Sequence, residues 1–357
     1  MVGASVNNDA GYVLGFSVAV LLLTRIAMGD LRRRTVVVAG IAVGLALLTK
    51  GFALVLPLTV VAAFVAAGRA AARSPVRQAP WWRAGLLCLV VAFLVGGWWW
   101  LRNLLVHGAI QPPGWSIEAY RRVLGTVPRP EGTPAPLSDF VAGTYARLSE
   151  RFWGGLGINY GGGDTYPDLL IHVLVAGTVI GVGAAVVGAR RGRLAVLAAV
   201  LVPLGATLGI VCLGIWNGYT YSLDFPGAQG RYLFGSVTGL AAAGALGLSV
   251  LAGPARRVLP VLAALLALVL QAAGIVSVVR HAWLPLYDGR PRPERYRDAF
   301  DGILRWSPWP PEVTGTVFAL TALAGAVVLV LAARWAFVRD EVAPVPVPAA
   351  EPVPDRV

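Results

Sequence analysis

The residues of this chain that could do chemistry gather at a few points between long apolar runs. Asn7, Asn8 and Asp9 precede the first run, and Lys50 stands in LLTKGF between the second and third. Arg102 and Asn103 close the fourth run in WWWLRN, and Asp164 and Asp168 open the fifth. Asp224, Gln229 and Arg231 precede the seventh in DFPGAQGRYLF. A carboxylate can take a proton from a hydroxyl or bind a divalent metal. Lysine and arginine hold phosphate, the first as a point charge and the second as a fork of donors. If the runs cross a membrane, all of these groups lie at one depth on one face.

Lys50 is the sharpest of them. The segment 35–49 that precedes it rises roughly 22 Å as a helix, against a hydrocarbon thickness of about 30 Å. The partner segment 51–67 is also short. Lys50 would therefore stop below the outer headgroups, in a depression walled by longer helices. An ammonium recessed there needs an anionic partner. It is also the only lysine beside 29 arginines. A recessed cation near other cations and an acid reads as a phosphate site. For Arg102 taken alone, the ordinary reading is a side chain snorkelling to the interface.

The elements that must position these groups follow from composition. The 357 residues are 57% hydrophobic and 13% charged, with a mean hydropathy of +0.70. Soluble domains carry roughly 25% charged residues. Lipid is then the solvent for much of the chain, and the runs should be helices, because lipid cannot satisfy backbone N–H and C=O groups. Spans are expected near 10–28, 35–49, 51–67, 84–101, 166–188, 194–215, 232–252, 258–280 and 314–333. The expected fold class is an all-α, polytopic transmembrane helix bundle of about nine spans with two aromatic-rich exoplasmic loops.

The net charge of +12 does not point to nucleic acid, because the arginines alternate with the spans as short punctuation. Every second connection is short and basic, from Arg32, Arg33 and Arg34 through Arg190, Arg191 and Arg193 to Arg256 and Arg257. That side collects sixteen basic residues against five acids. The positive-inside rule makes it cytoplasmic, with the N-terminus outside and the C-terminus inside. Residues 1–341 then form the transmembrane domain, with outer loops near 102–165 and 281–313. These loops hold Trp115, Tyr120, Tyr145, Phe152, Trp153, Tyr160, Trp283, Tyr287, Tyr296, Phe300, Trp306 and Trp309. So aromatic a composition argues against disorder, and an interfacial belt or a folded cap is expected. The proline-rich tail 342–357 is expected to be a disordered cytoplasmic segment. The opening MVGASVNNDAGY has no signal peptide. Translocation by the first span accounts for it, as does a chain whose beginning lies upstream.

Within the spans the polar residues are few. No charge falls in mid-span, which counts against a proton-coupled transporter. Gln271 is the clearest mid-span polar group and reads as a helix–helix hydrogen bond. The pairs Gly11/Gly15, Gly40/Gly44 and Gly235/Gly239 suggest close helix packing. Cys88 and Cys212 lie in separate runs and read as packing residues. His107, His172 and His281 make no metal spacing, and Gly161–Gly163 reads as a flexible turn.

In order along the chain, VNNDA, GLALLTKGFALVLP, GWWWLRNLLVHG, FWGGLG and QGRYLF resemble a bacterial membrane-protein family, domain of unknown function 2142, related to the GT-C glycosyltransferases. The resemblance runs from about Val6 to Phe234. It implies a plasma-membrane protein of cell-envelope glycan assembly. Such an enzyme takes a sugar from a polyprenyl-phosphate donor at the exoplasmic face and gives it to a glycan or lipid acceptor. The class uses an outer-loop acid to activate the acceptor or bind a divalent metal, and basic residues to hold the donor phosphate. By that analogy Asp9 is the catalytic acid, and Lys50, Arg102 and Arg231 hold phosphate. Asn8, Asn103, Gln229 and Tyr232 support them; no protein metal site is assigned. One departure stands out: such proteins usually begin with a further helix and an acidic outer loop, and this chain starts after them. A non-catalytic lipid or polysaccharide carrier, an assembly scaffold, and a fragment of a longer enzyme are the alternatives.

Overall fold

The computed structural model describes residues 9–71, 80–111, 125, 127–154, 168–189, 191–225, 227–284 and 291–337. Among them every regular element is a helix. The chain divides into two compact units, one up to Gly253 and one from Pro254 onward.

The first unit opens with α1 (Asp9–Ala27), α2 (Arg33–Thr49), a 3-10 turn (Gly51–Val55) and α3 (Leu56–Ala71). Then come α4 (Trp81–Ala92), a π-helical turn (Phe93–Gly97) and α5 (Trp98–His107), which run on as one helical stretch. After α6 (Leu137–Ser149) and a π-turn (Glu150–Gly154) come α7 (Asp168–Gly188) and α8 (Arg191–Ser222). A 3-10 segment (Gly230–Ser236) leads into α9 (Val237–Ala252). The second unit holds α10 (Leu259–Ala282), α11 (Arg292–Trp306) and α12 (Pro311–Phe337). Among the described residues, seven helical stretches are long and apolar enough to cross a membrane, while Gly11–Ala27 is a shorter apolar helix and α2 has 17 residues.

The core of the first unit forms where α1, α2, α3 and α4 meet. Tyr12, Phe16, Leu23, Ile26, Val43, Leu56 and Phe64 are fully buried there, with Ala199 of α8 against them. In lipid, apolar burial does not by itself favour one helix contact over another, so close approach through small residues decides the packing. Gly40 and Gly44 do this for α2. A Cβ on either would run into the Cys88 or Ala92 carbonyl and into Val91 or Val95. The α7–α9 pair uses Gly181 and Gly247, where a Cβ on Gly247 would overlap the Gly181 carbonyl.

Several expected spans are longer than the apolar runs suggested, the fourth and the sixth among them. The fourth reaches from Trp81 to His107 because the helix continues through the π-turn, which absorbs an extra residue at Gly96 and Gly97. The sixth continues to Ser222 and carries Pro203 inside it. Neighbouring helices allow such a proline by re-satisfying the freed backbone groups. Gln271 is exposed. A hydrogen bond between helices instead joins Ser17 Oγ of α1 and Thr238 Oγ1 of α9 at 2.7 Å. The tail and the rings of Trp115, Tyr120, Tyr160 and Tyr287 lie outside the described residues.

The connection into α2 is tied by one ion pair. Asp30 accepts from Arg32 Nε at 2.8 Å and Nη2 at 2.9 Å, and from Thr35 Oγ1 at 3.1 Å. The guanidinium of Arg32 beside it holds the Asp30 carboxyl well below the usual carboxylate range. A carboxylate at a helix N-terminus also sits favourably in the helix dipole.

A caged lysine beside an apolar cavity

The sequence LLTKGF does not make a tight turn. α2 stops because Lys50 is extended, with φ −158° and ψ 143°, and a 3-10 turn follows before α3. The orphan carbonyls at the end of α2 find local donors. Thr49 Oγ1 donates to the Ala46 carbonyl at 2.6 Å, and Trp100 Nε1 of α5 donates to Leu47 at 3.0 Å. Pinned in this way, the half-buried Lys50 side chain enters a ring of aromatics. Its Nζ lies 5.2 Å from the centroid of Tyr232, 5.6 Å from Tyr12 and 5.9 Å from Phe52. All three fall within the roughly 6 Å over which a ring quadrupole attracts a cation. The end of α2 adds the negative pole of its helix.

The three rings come from separate elements. Tyr12 is on α1, Phe52 on the turn after Lys50, and Tyr232 on the 3-10 segment before α9. Phe52 and Tyr232 lie 4.6 Å apart, and the Tyr12 hydroxyl donates to the Tyr232 carbonyl at 3.4 Å. Gly235 permits this, because a Cβ there would strike the Tyr12 ring. The segment is held from the other side as well. Arg151 donates to the Ala228 carbonyl at 2.8 Å, and the backbone of Arg151 and Phe152 fills the space where a Cβ of Gly230 would go.

The remaining candidates divide. Arg231 is exposed, 6.0 Å from the Tyr232 ring. Gln229 is extended and accepts the Tyr232 N–H at 3.1 Å, starting the 3-10 segment. Asn103 is buried and donates to the Ile110 carbonyl at 3.4 Å, which holds the chain back toward Gln111, beside Gly51. Its role is to position that segment. Among the described residues Arg102 makes its contacts within its own helix, 5.2 Å over Trp99 and 3.5 Å to Asn103 Oδ1. Asp9 opens α1 one turn before Tyr12, and its side chain lies outside the described residues, as does Asn8. No cluster of three His, Cys, Asp or Glu side chains forms among the described residues.

Behind the segment lies a cavity of about 380 Å³, within the usual range for a ligand pocket. Its walls come from α6, the π-turn after it, and α7, α8 and α9, and include Phe140, Leu148, Phe152, Val179, Leu208 and Leu240. The Gly230–Ser236 segment adds Leu233 to the lining, next to the Tyr232 of the cage. Thr144 also lines it; its buried Oγ1 has no hydrogen-bond partner among the described residues. Sequence reasoning reached Lys50, Arg231 and Tyr232 but missed Tyr12, Phe52 and the cavity. The only local signals were an aromatic two residues after Lys50 and one a helical turn after Asp9. No family model, curated protein or solved structure matches the chain.

Proposed function

We propose that this chain is a GT-C-like membrane glycosyltransferase of bacterial cell-envelope glycan assembly. It transfers a sugar from a polyprenyl-phosphate donor to a glycan or lipid acceptor at the exoplasmic face of the plasma membrane. In this reading α1 and α2 also cross, for nine spans, with the N-terminus outside and the C-terminus in the cytoplasm. The observation that carries the proposal is the segment Gly230–Ser236. It places Tyr232 against the Lys50 ammonium and the neighbouring Leu233 on the apolar cavity. A ligand suited to both has an anionic head and a long hydrocarbon tail.

The chemistry proposed for this ligand is a group transfer. The bond between the sugar carbon and the donor phosphate breaks, and the electron pair leaves with the polyprenyl phosphate. The acceptor oxygen forms the new bond to that carbon, and Asp9 takes the acceptor proton. Lys50 and Arg231 oppose charge that grows on the departing phosphate, so they act more strongly in the transition state than on the bound donor. Arg102 serves the donor only if its side chain leaves Trp99.

A second reading has its own support. Among the described residues, none that lines the cavity is acidic, basic or a histidine, which suits a chain that binds a lipid without turning it over. Liposomes holding the protein and labelled polyprenyl-phosphate sugars separate the two. Transfer by the wild type is expected, with Asp9→Asn binding donor without turnover and Lys50→Ala binding it poorly. Donor binding without turnover in the wild type would favour the carrier, and neither binding nor turnover would sink both readings.

A further inference from the structure

α11 has a sequence with three distinct faces. At about 100° per residue, Ala299, Gly302 and Ile303 share one face. Phe300 and Leu304 share the next, and Glu294, Arg297, Asp301 and Arg305 share the third. The first face is seated on the bundle. Ala299 is buried, and the Trp283 ring at the end of α10 lies against Gly302 and 5.6 Å from Trp306. At the other end Ser307 Oγ and Thr314 Oγ1 are 2.7 Å apart, which ties α11 to the first turn of α12. The helix is therefore fixed against the ends of two spans and cannot stand away from them.

The second face is partly open, with Leu304 half-buried. Phe300 is 45% exposed, yet its ring lies 6.0 Å from Phe318 of α12, itself 41% exposed. Val317 and Leu320 beside Phe318 are exposed too. The apolar flank of α11 thus continues the outward apolar surface of a helix long enough to cross a membrane. The third face carries four exposed charges, two acidic and two basic. Trp306 and Trp309, exposed at the end of the helix, are residues that favour the headgroup level.

We propose that α11 lies flat in the membrane interface, with Phe300 and Leu304 at the boundary between headgroups and acyl chains and Glu294, Arg297, Asp301 and Arg305 in water. Its partner is the bilayer itself. Its exposed charges nearly cancel, with Arg292, Arg297 and Arg305 against Glu294 and Asp301, so attachment comes mainly from apolar burial rather than from anionic lipid. This proposal stands on the membrane character of α10 and α12 alone, and not on any reading of the lysine site.

The test uses the full chain in liposomes with Cys88 and Cys212 replaced by alanine. Spin labels are placed by Phe300→Cys, Arg297→Cys and Phe318→Cys, and collisions with oxygen, which concentrates in lipid, are compared with those of a water-soluble nickel chelate. Positions 300 and 318 should favour oxygen several-fold over position 297, with no change on raising salt or the share of anionic lipid. Nickel access at 300 equal to that at 297 would place the helix in water and overturn the proposal. Position 300 shielded from both reagents would assign the flank to a protein partner or a second copy, and would overturn it equally. Should the Phe300→Cys protein fail to fold, Leu304→Cys reads the same flank.

Discussion

The Lys50 ammonium lies against three aromatic rings whose quadrupoles attract a cation. Each ring contributes about 0.5–2 kcal/mol, depending on how far water is excluded. The same geometry aims the cation, since Lys50 leaves an extended backbone and has little room to swing. In the proposed donor complex, loss of a hydrogen bond from a charged group costs about 1.5–3 kcal/mol. Lys50→Ala should therefore weaken donor binding roughly ten- to hundredfold, as measured by titration in liposomes, and Lys50→Arg should weaken it less. Equal binding by Lys50→Ala and wild type would remove Lys50 from the site. Asp30 permits a prediction on pH. Its pKa is lowered in the fold by Arg32, so the ion pair stabilises the fold fully above the ordinary carboxylate value of about 3.9. That stability drains away as pH falls below it toward the depressed folded value. Unfolding in detergent should show this loss in the wild type and a smaller one in Asp30→Asn; parallel curves would mean that the pair does not matter.

At the scale of elements, glycine decides which helices touch and how closely. The Gly44 position leaves no room for a Cβ beside Val95 and the Ala92 carbonyl, whereas a Cβ on Gly183 of α7 would meet nothing. Gly44→Ala should therefore cost about 1–3 kcal/mol through overpacking. Gly183→Ala should be neutral, or stabilising by up to about 1 kcal/mol through helix propensity. Unfolding of the two variants in the same detergent checks the contrast, and an equal loss in both would show that the α2–α4 contact is loose. The Gly230–Ser236 segment works by the same physics. Gly230 and Gly235 let the backbone at Arg151 and the ring of Tyr12 close on it from two sides, so one short 3-10 turn can face both the cage and the cavity.

For the whole molecule, the prediction concerns orientation. In the proposed orientation the connection near Arg256 is cytoplasmic and the region of Glu131 exoplasmic. Both residues are exposed. With the native cysteines removed, Glu131→Cys should react with a membrane-impermeant maleimide on intact cells, and Arg256→Cys only after permeabilisation. The reverse pattern would invert the topology and move the caged lysine to the cytoplasmic side. The units on either side of Gly253 differ in what they bury. The first has an aromatic and aliphatic core of its own, while the central stretches of α10 and α12 hold half-buried and exposed residues and no buried one. That contrast fits a second unit whose helices meet lipid over most of their surface.

The sequence by itself determined that the described chain is helical and that most of these helices are long and apolar enough to cross a membrane. Hydrocarbon allows a backbone few other ways to satisfy its hydrogen bonds, and the lengths of the apolar runs can be read without any contact being known. It also singled out Lys50, because a lone lysine between two short apolar runs is a local anomaly. The Gly40/Gly44 pair was legible for the same reason: four-residue spacing is a local property that puts both on one helix face. The cage and the cavity were not legible. Tyr12, Phe52 and Tyr232 meet only because α1, the turn after α2 and the segment before α9 pack in one particular rotation, and a one-residue change of register turns a side chain by about 100°. Whether an aromatic in an apolar run faces lipid, a neighbouring helix or a cation is set by that rotation, and only the tertiary structure decided it.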